Sequence, residues 1–251
     1  MGEMRMPKVA TGLNPLSFLL TCVSEVAAVS TFGSGISARE RISRLMLQLL
    51  AATTNKNKIR EFIDMIPDLK DKVRILSPDQ IPGFPKLTES GASFEENSAE
   101  KARVASRYSD MAAFADDSGL EVRALNGAPG VFSARYAGEH ADDQARIVKL
   151  LENMKGKEDR AARFVCVISL AYRGNLVAQF RGEVNGRIID APRGSNGFGY
   201  DPVFVPDGYD RSFAELPPEI KDSISHRARA FSQAADFIRS ELSSMDDFEF
   251  E

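Results

Sequence analysis

A short apolar run in the middle of the chain, Met111 to Ala115, predicts a buried strand. Two carboxylates, Asp116 and Asp117, follow it directly and lead into a Ser-Gly pair that we expect to turn the chain. Carboxylates at the point where a buried strand runs out into a loop are well placed to bind a hard cation. Because neighbouring residues of an extended chain point to opposite faces, one aspartate can face a site while the other faces the scaffold. Taken alone, the four residues fit an ordinary polar turn better than a site.

Composition limits the kinds of site that the chain can build. Its 251 residues, 43% of them hydrophobic, suit one large domain or two small ones with a sizeable core. A formal net charge of -4 argues against a broad nucleic-acid-binding surface, so we expect no nucleic-acid partner. Two cysteines, Cys22 and Cys166, and two histidines, His140 and His226, are too few for a disulfide framework or a multi-His metal site. A bound metal would therefore have carboxylate ligands, which favours Mg²⁺, with Mn²⁺ as an alternative.

The first 45 residues differ in character from the rest. Residues 16–29 are loosely apolar, but they are too short and too polar for a transmembrane helix, and we expect no membrane partner. A signal peptide with Arg5 and Lys8 in its basic region remains an alternative, although Glu25 would interrupt its apolar part. We expect a disordered or dispensable leader over 1–45, a catalytic domain over 46–245 and an acidic tail over 246–251. On this division Met46 is a candidate start of the functional chain, and we expect a cytoplasmic protein.

The chain before the central run predicts alternating strands and helices. Apolar runs over 47–52 and 73–76 predict strands, and apolar residues at helical spacing over 59–66 predict a helix between them. A second helix is predicted from Ser93 to about Tyr108, because Ser93 and Glu96 have the spacing of a capping box. The turn before the first helix offers free backbone N–H groups and two lysines to an anion, although a capped surface helix with solvated lysines is common. That turn consists of Thr53, Thr54, Asn55, Lys56, Asn57 and Lys58.

The second half of the chain predicts a helix and then a meander of strands. An amphipathic helix is expected over 142–154 and a strand over 164–172, followed by a second strand over 176–182. The meander continues over 183–190 through an Asn-Gly turn at 185–186. A glycine-dense loop then precedes a strand over 202–205, and Phe198 in that loop suggests a surface on which a ligand stacks.

Taken together, these motifs resemble the inosine triphosphate pyrophosphatase (Ham1-like) family. Each motif is weakly specific, but seven of them in the family order over about residues 47–242 are strongly specific. Thr54 is a departure, because many members carry glycine there and a β-branched residue adopts positive φ poorly. The matching segments are Thr53–Lys58, Glu89-Ser90-Gly91, Phe94 with Glu96-Asn97 and Lys101, Ala115–Gly119, Gly127–Gly138, Gly197–Pro202, and Lys221 with Ser225–Arg227.

The resemblance implies both a fold and an activity. The fold is α/β, with an elongated mixed sheet flanked by helices, two lobes and a central cleft, usually in a homodimer. The activity is hydrolysis of non-standard purine nucleoside triphosphates (ITP, dITP and XTP) to the monophosphate and pyrophosphate. By position, Asp117 would be the general base and a Mg²⁺ ligand, Glu89 the second metal carboxylate, and Asp116 a support for the loop. The implied substrate-binding residues are Thr53, Thr54, Asn55, Lys56, Asn57, Lys58, Lys101, Ser118, Phe198, Gly199, Tyr200, Asp201, Lys221, His226 and Arg227.

Base selection can be argued from hydrogen-bonding chemistry. Lys221, His226 and Arg227 can donate to the 6-oxo group of hypoxanthine or xanthine, whereas adenine presents a donor there. Guanine also has a 6-oxo group, so its rejection must involve the 2-amino group, for which the sequence indicates no residue. Two alternative functions remain: a regulatory nucleotide-binding module, which would not need Asp117 or Glu89, and a metal-dependent phosphatase or nuclease.

Overall fold

The computed structural model of the protein describes residues 46–246, so the predicted leader and most of the predicted tail lie outside the described residues. Six strands form one sheet in the order β2-β1-β3-β4-β5-β6. Strand β1 is parallel to β2 and β3, and the remaining pairs are antiparallel, so the predicted mixed sheet is confirmed. The strands are β1 (Leu47–Ala51), β2 (Val73–Leu76), β3 (Ala112–Val122), β4 (Ala161–Tyr172), β5 (Asn175–Ile188) and β6 (Phe204–Pro206).

Helices cover both faces of the sheet. They are α1 (Lys56–Asp64), α2 (Phe94–Ser109), α3 (Asp143–Asn153), α4 (Pro218–Ile224) and α5 (His226–Asp246). Alternate residues of β3 pack on different helices, as the pleat of a strand requires. Phe114 shares an apolar cluster with residues of α1 and α5, whereas Ala113 and Ala115 share one with residues of α2. None of the helices between residues 46 and 246 has the length and apolarity needed to cross a membrane.

Two aromatic clusters lie at opposite ends of the long central strands. At one end the ring of Phe62 lies 4.5 Å from Phe114 and 5.0 Å from Phe231. At the other end Phe164 lies 4.7 Å from Phe204 in a second cluster. The segment Asp116–Ser118 of β3 runs between the two clusters, so the polar residues are placed between two apolar cores. This arrangement corresponds to the two lobes and central cleft that were predicted.

The prediction that the central strand ends at Ala115 is wrong. Strand β3 continues to Val122, and Asp116 and Asp117 pair with Ile168 and Val167 of β4. The polar segment stays extended because its backbone groups are satisfied by this ladder and its carboxylates by cationic and amide side chains. Gly119 does not turn the chain; a Cβ there would lie 2.5 Å from the carbonyl oxygen of Gly130, so glycine permits a close crossing.

The Asn-Gly turn predicted at 185–186 is also wrong. Strand β5 runs without interruption from Asn175 to Ile188, and Gly186 pairs with Ala162 on one side and Pro206 on the other. A Cβ on Gly186 would lie 2.3 Å from the carbonyl oxygen of Val205, so this glycine allows β6 to approach. Strand β6 begins at Phe204 rather than 202, because residues 201–203 form a 3-10 turn.

The helix boundaries agree closely with the sequence signals. Ser93 caps α2 by accepting a hydrogen bond from the Glu96 N–H at 3.1 Å, while the Glu96 carboxylate accepts from Ala92 N at 2.7 Å. Asp142 caps α3 in the same way, through the Ala145 N–H. The short helix α4 was not predicted. In the described part of the chain, the non-glycine residues with positive φ are Asp110, Asn126 and Arg173. Thr54 therefore does not need the backbone conformation that a β-branched residue adopts poorly.

Candidate active site

Asp117 belongs to a group of polar side chains on the α2 side of β3, here called the carboxylate cluster (Glu89, Asn97, Lys101 and Asp117). The Asn97 amide donates to Asp117 Oδ2 at 2.9 Å and accepts from the Gly91 N–H at 2.7 Å. The Lys101 ammonium lies 2.5 Å from Glu89 Oε1 and 3.8 Å from Asp117 Oδ1. The spacing of Asn97 and Lys101 on one face of α2 therefore brings both to the same carboxylate.

The electrostatics of this cluster favour a proton-accepting aspartate. Burial is the largest influence on Asp117 and raises its pKa to about 6, and the Glu89 carboxylate adds to that effect, whereas Lys101 and Asn97 oppose it. Burial opposes the charge of Lys101, but the carboxylates of Asp117, Asp116 and Glu89 together raise its pKa. At neutral pH the cluster thus holds an ammonium group beside a carboxylate whose pKa is close to the surrounding pH.

Asp116 faces the opposite side of β3 and has different partners. Its carboxylate accepts from Lys58 Nζ at 2.6 Å. Burial would raise the pKa of Asp116, but Lys58, Lys101 and Arg227 outweigh it and lower that pKa to about 2. The expectation that the two aspartates point to opposite faces is confirmed by these partner sets. Asp116 holds Lys58 of the predicted anion-binding turn, and its supporting role stays a prediction.

The predicted anion-binding turn is a well-capped entry to α1. Asn55 Oδ1 accepts from the Lys58 N–H at 3.4 Å, and Thr53 Oγ1 accepts from the Asn55 N–H at 3.1 Å. Thr54 and Lys56 are exposed, and Asn57 lies in the first turn of the helix. The turn follows directly on β1, next to β3, and Lys58 links it to Asp116. Its N–H groups and lysines are therefore placed next to the strand that carries the two aspartates.

A cavity of about 310 Å³ lies on the Asp116 side of β3, between the turn, the glycine-dense loop and the start of α5. Ser118 is part of its floor, whereas Glu89, Lys101 and Asp117 are not among its lining residues. Lys58 joins the two regions, because it lines the cavity and contacts Asp116, the neighbour of Asp117. The predicted site residues that line the cavity are Asn55, Lys58, Ser118, Phe198, Gly199, Tyr200, Asp201, Lys221, His226 and Arg227.

The glycine-dense loop presents Phe198 at the mouth of the cavity. The side chain is 44% exposed, and the Lys221 ammonium and the Arg227 guanidinium lie 4.8 and 5.2 Å from its ring centroid. The Asp201 carboxylate accepts from the Phe198 N–H at 2.9 Å and also pairs with Lys221. Tyr200 is buried and donates to the carbonyl oxygen of Ser133 at 2.9 Å, which ties the loop to the opposite wall.

The start of α5 buries His226 and Arg227 rather than exposing them. Burial lowers the pKa of His226 well below its usual range, and its ring stacks 4.8 Å from Phe164, so this histidine is neutral. Its Nδ1 is buried and has no hydrogen-bond partner within the described chain. Arg227 donates to Glu61 at 2.9 Å, and the Glu61 and Asp116 carboxylates raise its pKa against the effect of burial. Both side chains thus offer polar hydrogens or lone pairs to the cavity.

The metal ligands predicted from the resemblance can be compared with the geometry. Among residues 46–246, no group of three or more His, Cys, Asp or Glu side chains is arranged as a metal site. Glu89 and Asp117 supply two carboxylates on either side of the Lys101 ammonium. Because Mg²⁺ commonly binds through one or two carboxylates plus substrate phosphates and water, this pair fits a metal that arrives with a nucleotide.

Sequence reasoning named no role for several residues of the site. Asn97 carried a signal, because an asparagine in the second turn of a helix lowers helix propensity. Glu61, Asp143 and Arg146 carried none, since each is an ordinary charged residue of an amphipathic helix until tertiary packing brings it to the cavity.

Comparison with known proteins agrees with this picture. The model of the Ham1 family matches residues 49–237. A curated dITP/XTP pyrophosphatase from Desulfotalea psychrophila is 46% identical over 74% of this chain and 82% of its own length. The corresponding protein from Geobacter sulfurreducens is 45% identical over 77% of this chain and 97% of its own length.

A solved Ham1 protein from Coxiella burnetii is similar in fold, with a TM-score of 0.74 and 40% identity over 78% of this chain and all of that one. The Ham1 protein of Staphylococcus aureus gives a TM-score of 0.72 at 40% identity, over 77% of this chain and 99% of that one. The family model covers the region that builds the cavity and the carboxylate cluster, and the chain belongs to the Ham1 family.

Proposed function

We propose that the protein hydrolyses non-standard purine nucleoside triphosphates (ITP, dITP and XTP) to the monophosphate and pyrophosphate. The observation that carries the proposal is Asp117, a buried carboxylate with a pKa near 6 in the carboxylate cluster, one residue along β3 from Asp116, which contacts the cavity-lining Lys58. The curated relatives, named dITP/XTP pyrophosphatases, support the same activity. The protein is thus proposed to be a nucleoside triphosphate pyrophosphatase.

The chain's own residues supply most of what this reaction requires. Lys58, Lys101 and the N–H groups at the start of α1 neutralise and orient the triphosphate. Asp117, held by the Asn97 amide, accepts the proton of the attacking water. No covalent intermediate is needed, and Cys166 is unsuitable as a nucleophile because burial raises its pKa to about 12.

We further propose Mg²⁺ as the cofactor, with Mn²⁺ as an alternative, held by Glu89 and Asp117. When bound with the nucleotide, the metal would polarise the phosphoanhydride and neutralise its charge. The Lys101 ammonium lies 2.5 Å from Glu89 and 3.8 Å from Asp117, so it would share these carboxylates with a bound metal.

Two further features of the proposed enzyme concern its setting. We propose a homodimer, and Phe132 at 55% and Val148 at 50% exposure are candidate contacts at its interface. We also propose a cytoplasmic location, where the proposed substrates would be present.

The test is a panel of ITP, dITP, XTP, GTP and ATP with Mg²⁺, with the products resolved by chromatography. The expected products are the monophosphate and pyrophosphate, with ITP and XTP preferred over ATP. Release of orthophosphate would indicate a phosphatase instead. Binding of ITP without turnover would support the regulatory module.

A further inference from the structure

The cavity has a second cationic region besides the one built by α4 and α5. Arg146 of α3 lines this region together with Ser133, Ala134 and Asp143, while Lys221 and Arg227 line the other. Ser118 and Gly119 of β3 line the cavity as well. A ligand that fills the cavity can therefore contact two sets of donors.

The Arg146 guanidinium is held in place by neighbouring groups. One terminal nitrogen donates to the carbonyl oxygen of Ala134 at 2.6 Å, and the other pairs with Asp143. The side chain is 19% exposed, and its Nε is buried without a hydrogen-bond partner in the described structure. The Asp143 carboxylate is itself shared, because its Oδ2 accepts from the Gly199 N–H at 2.6 Å. Arg146 is thus a fixed cation with unused donor capacity.

We propose that Arg146 is the residue that reads position 2 of the purine, and that Asp143 positions it. This inference rests on the proposed function and deepens it, because the donors Lys221 and Arg227 account for recognition of the 6-oxo group but not for rejection of guanine. In the pose that we propose, the 6-oxo group faces Lys221 and Arg227 and the 2-position faces Arg146, and all three side chains line the cavity.

The three 6-oxo purines then meet Arg146 differently. Xanthine presents a 2-oxo acceptor, which pairs with the guanidinium. Hypoxanthine presents only C–H and is tolerated. Guanine presents a 2-amino donor against a donor, and both groups are left unpaired in a site that excludes much of the water. Arg146 therefore selects XTP over ITP and both over GTP.

The test compares kcat/KM for XTP, ITP and GTP in the wild type, Arg146→Gln and Arg146→Lys. Glutamine removes the charge and can accept from a 2-amino group, so the GTP-to-XTP ratio of Arg146→Gln should rise by about tenfold or more. ITP should change little, because it has no polar group at position 2. Lysine keeps a donor and should largely preserve the ranking. Asp143→Asn should shift the ratio in the same direction as glutamine but less, because it loosens Arg146 without removing it.

Two comparisons separate this inference from its alternatives. Arg163→Gln is the matched control, since Arg163 pairs with Glu121 on the sheet and does not line the cavity; it should leave all three ratios unchanged. A purely structural role for Arg146 would lower all three activities together, along with the melting temperature. If Arg146→Gln hydrolyses ITP but its GTP-to-XTP ratio equals that of the wild type, the inference is overturned while the proposed function stands. If the wild type hydrolyses none of the three, the proposed function fails first.

Discussion

Asp116 and Asp117 are neighbours in β3, yet their surroundings give them opposite proton affinities. Three cations hold Asp116 ionised and lower its pKa to about 2, whereas burial raises the pKa of Asp117 to about 6. This contrast arises because successive residues of a strand face opposite sides of the sheet. It separates a supporting carboxylate, which fixes Lys58, from one that can exchange a proton at neutral pH.

The first prediction concerns the rate of ITP hydrolysis in variants of the two aspartates. Asp117→Asn should lose activity by at least about 10²–10⁴-fold, because an amide neither accepts the proton of water nor binds Mg²⁺ well. Asp116→Asn should retain more activity, since its effect acts through Lys58. Steady-state assays with ITP compare the activities of the two variants, and circular dichroism verifies that both are folded. Equal losses in the two variants, or a larger loss for Asp116→Asn, would contradict the assignment.

The second prediction concerns stability and pH. The pKa of Asp117 is about 6 when folded and close to 3.8 when unfolded, so the folded state binds its proton more tightly. Ionised Asp117 therefore lowers the free energy of unfolding above about pH 6, and this loss shrinks as the pH falls towards 3.8. Asp117→Asn should raise that free energy by roughly 1–3 kcal/mol at pH 8.

Chemical denaturation of the wild type and of Asp117→Asn, without metal, shows which of the two has the higher free energy of unfolding. The advantage of the asparagine variant should be largest at pH 8 and fall by at least about half at pH 4.5. An advantage that is independent of pH, or a variant less stable than the wild type at pH 8, would rule out the argument from burial.

The part of the site formed by His226 and Arg227 depends on how closely helix α5 packs on strand β5. A Cβ on Gly182 would lie 2.0 Å from the carbonyl oxygen of His226 and 2.5 Å from the nitrogen of Ala230. Glycine at this position lets the first turn of α5 rest on the strand, and that turn carries His226 and Arg227 into the cavity. The position of His226 and Arg227, which we propose to bind the base, thus depends on a glycine distant from them in sequence.

Gly182→Ala should lower the free energy of unfolding by about 1–3 kcal/mol, because the helix must move away from the strand. It should also raise KM for ITP, because His226 and Arg227 move with the helix. Gly156→Ala is a useful control: it has positive φ but open space around its Cβ, so it should lose stability through backbone strain alone and leave KM unchanged. Denaturation curves and ITP kinetics for both variants measure the two effects, and an unchanged KM in Gly182→Ala would count against the coupling.

Among residues 46–246, the buried members of the two aromatic clusters described above run from Leu47 to Ile238. The cavity lies between the two clusters, with one end against α1 and α5 and the other against α3.

A chain that begins at Met46 should match the full chain in activity and thermal stability. The reason is that the sequence of residues 1–45 has no pattern typical of a core. Differential scanning calorimetry and ITP kinetics on both proteins provide the comparison. A melting temperature lower by several degrees in the shorter protein would show that the leader packs on the domain.

The sequence predicted most of the local helices and strands and the residue types of the site. Strands β1 and β2 and helices α2 and α3 were predicted within one or two residues, because periodicity and caps such as Ser93 and Asp142 depend on neighbours along the chain. The carboxylates, lysines and glycine-dense loop were named because their motifs resemble those of the Ham1-like family, and the structure brings most of them to the cavity or the carboxylate cluster. Their roles stay predictions until the variants are measured.

The contacts of individual site residues depend on packing between segments that are distant in sequence. Asp116 and Asp117 were expected at a strand end because their polarity suggests a turn, but the ladder with β4 keeps them inside β3. The same is true of Gly186, whose place beside β6 cannot be read from an Asn-Gly pair. Arg146 could not be distinguished from a solvated helix residue until packing brought α3 to the cavity. The reason is physical: pKa values, burial and close approach depend on contacts between residues far apart in sequence, which no local pattern records.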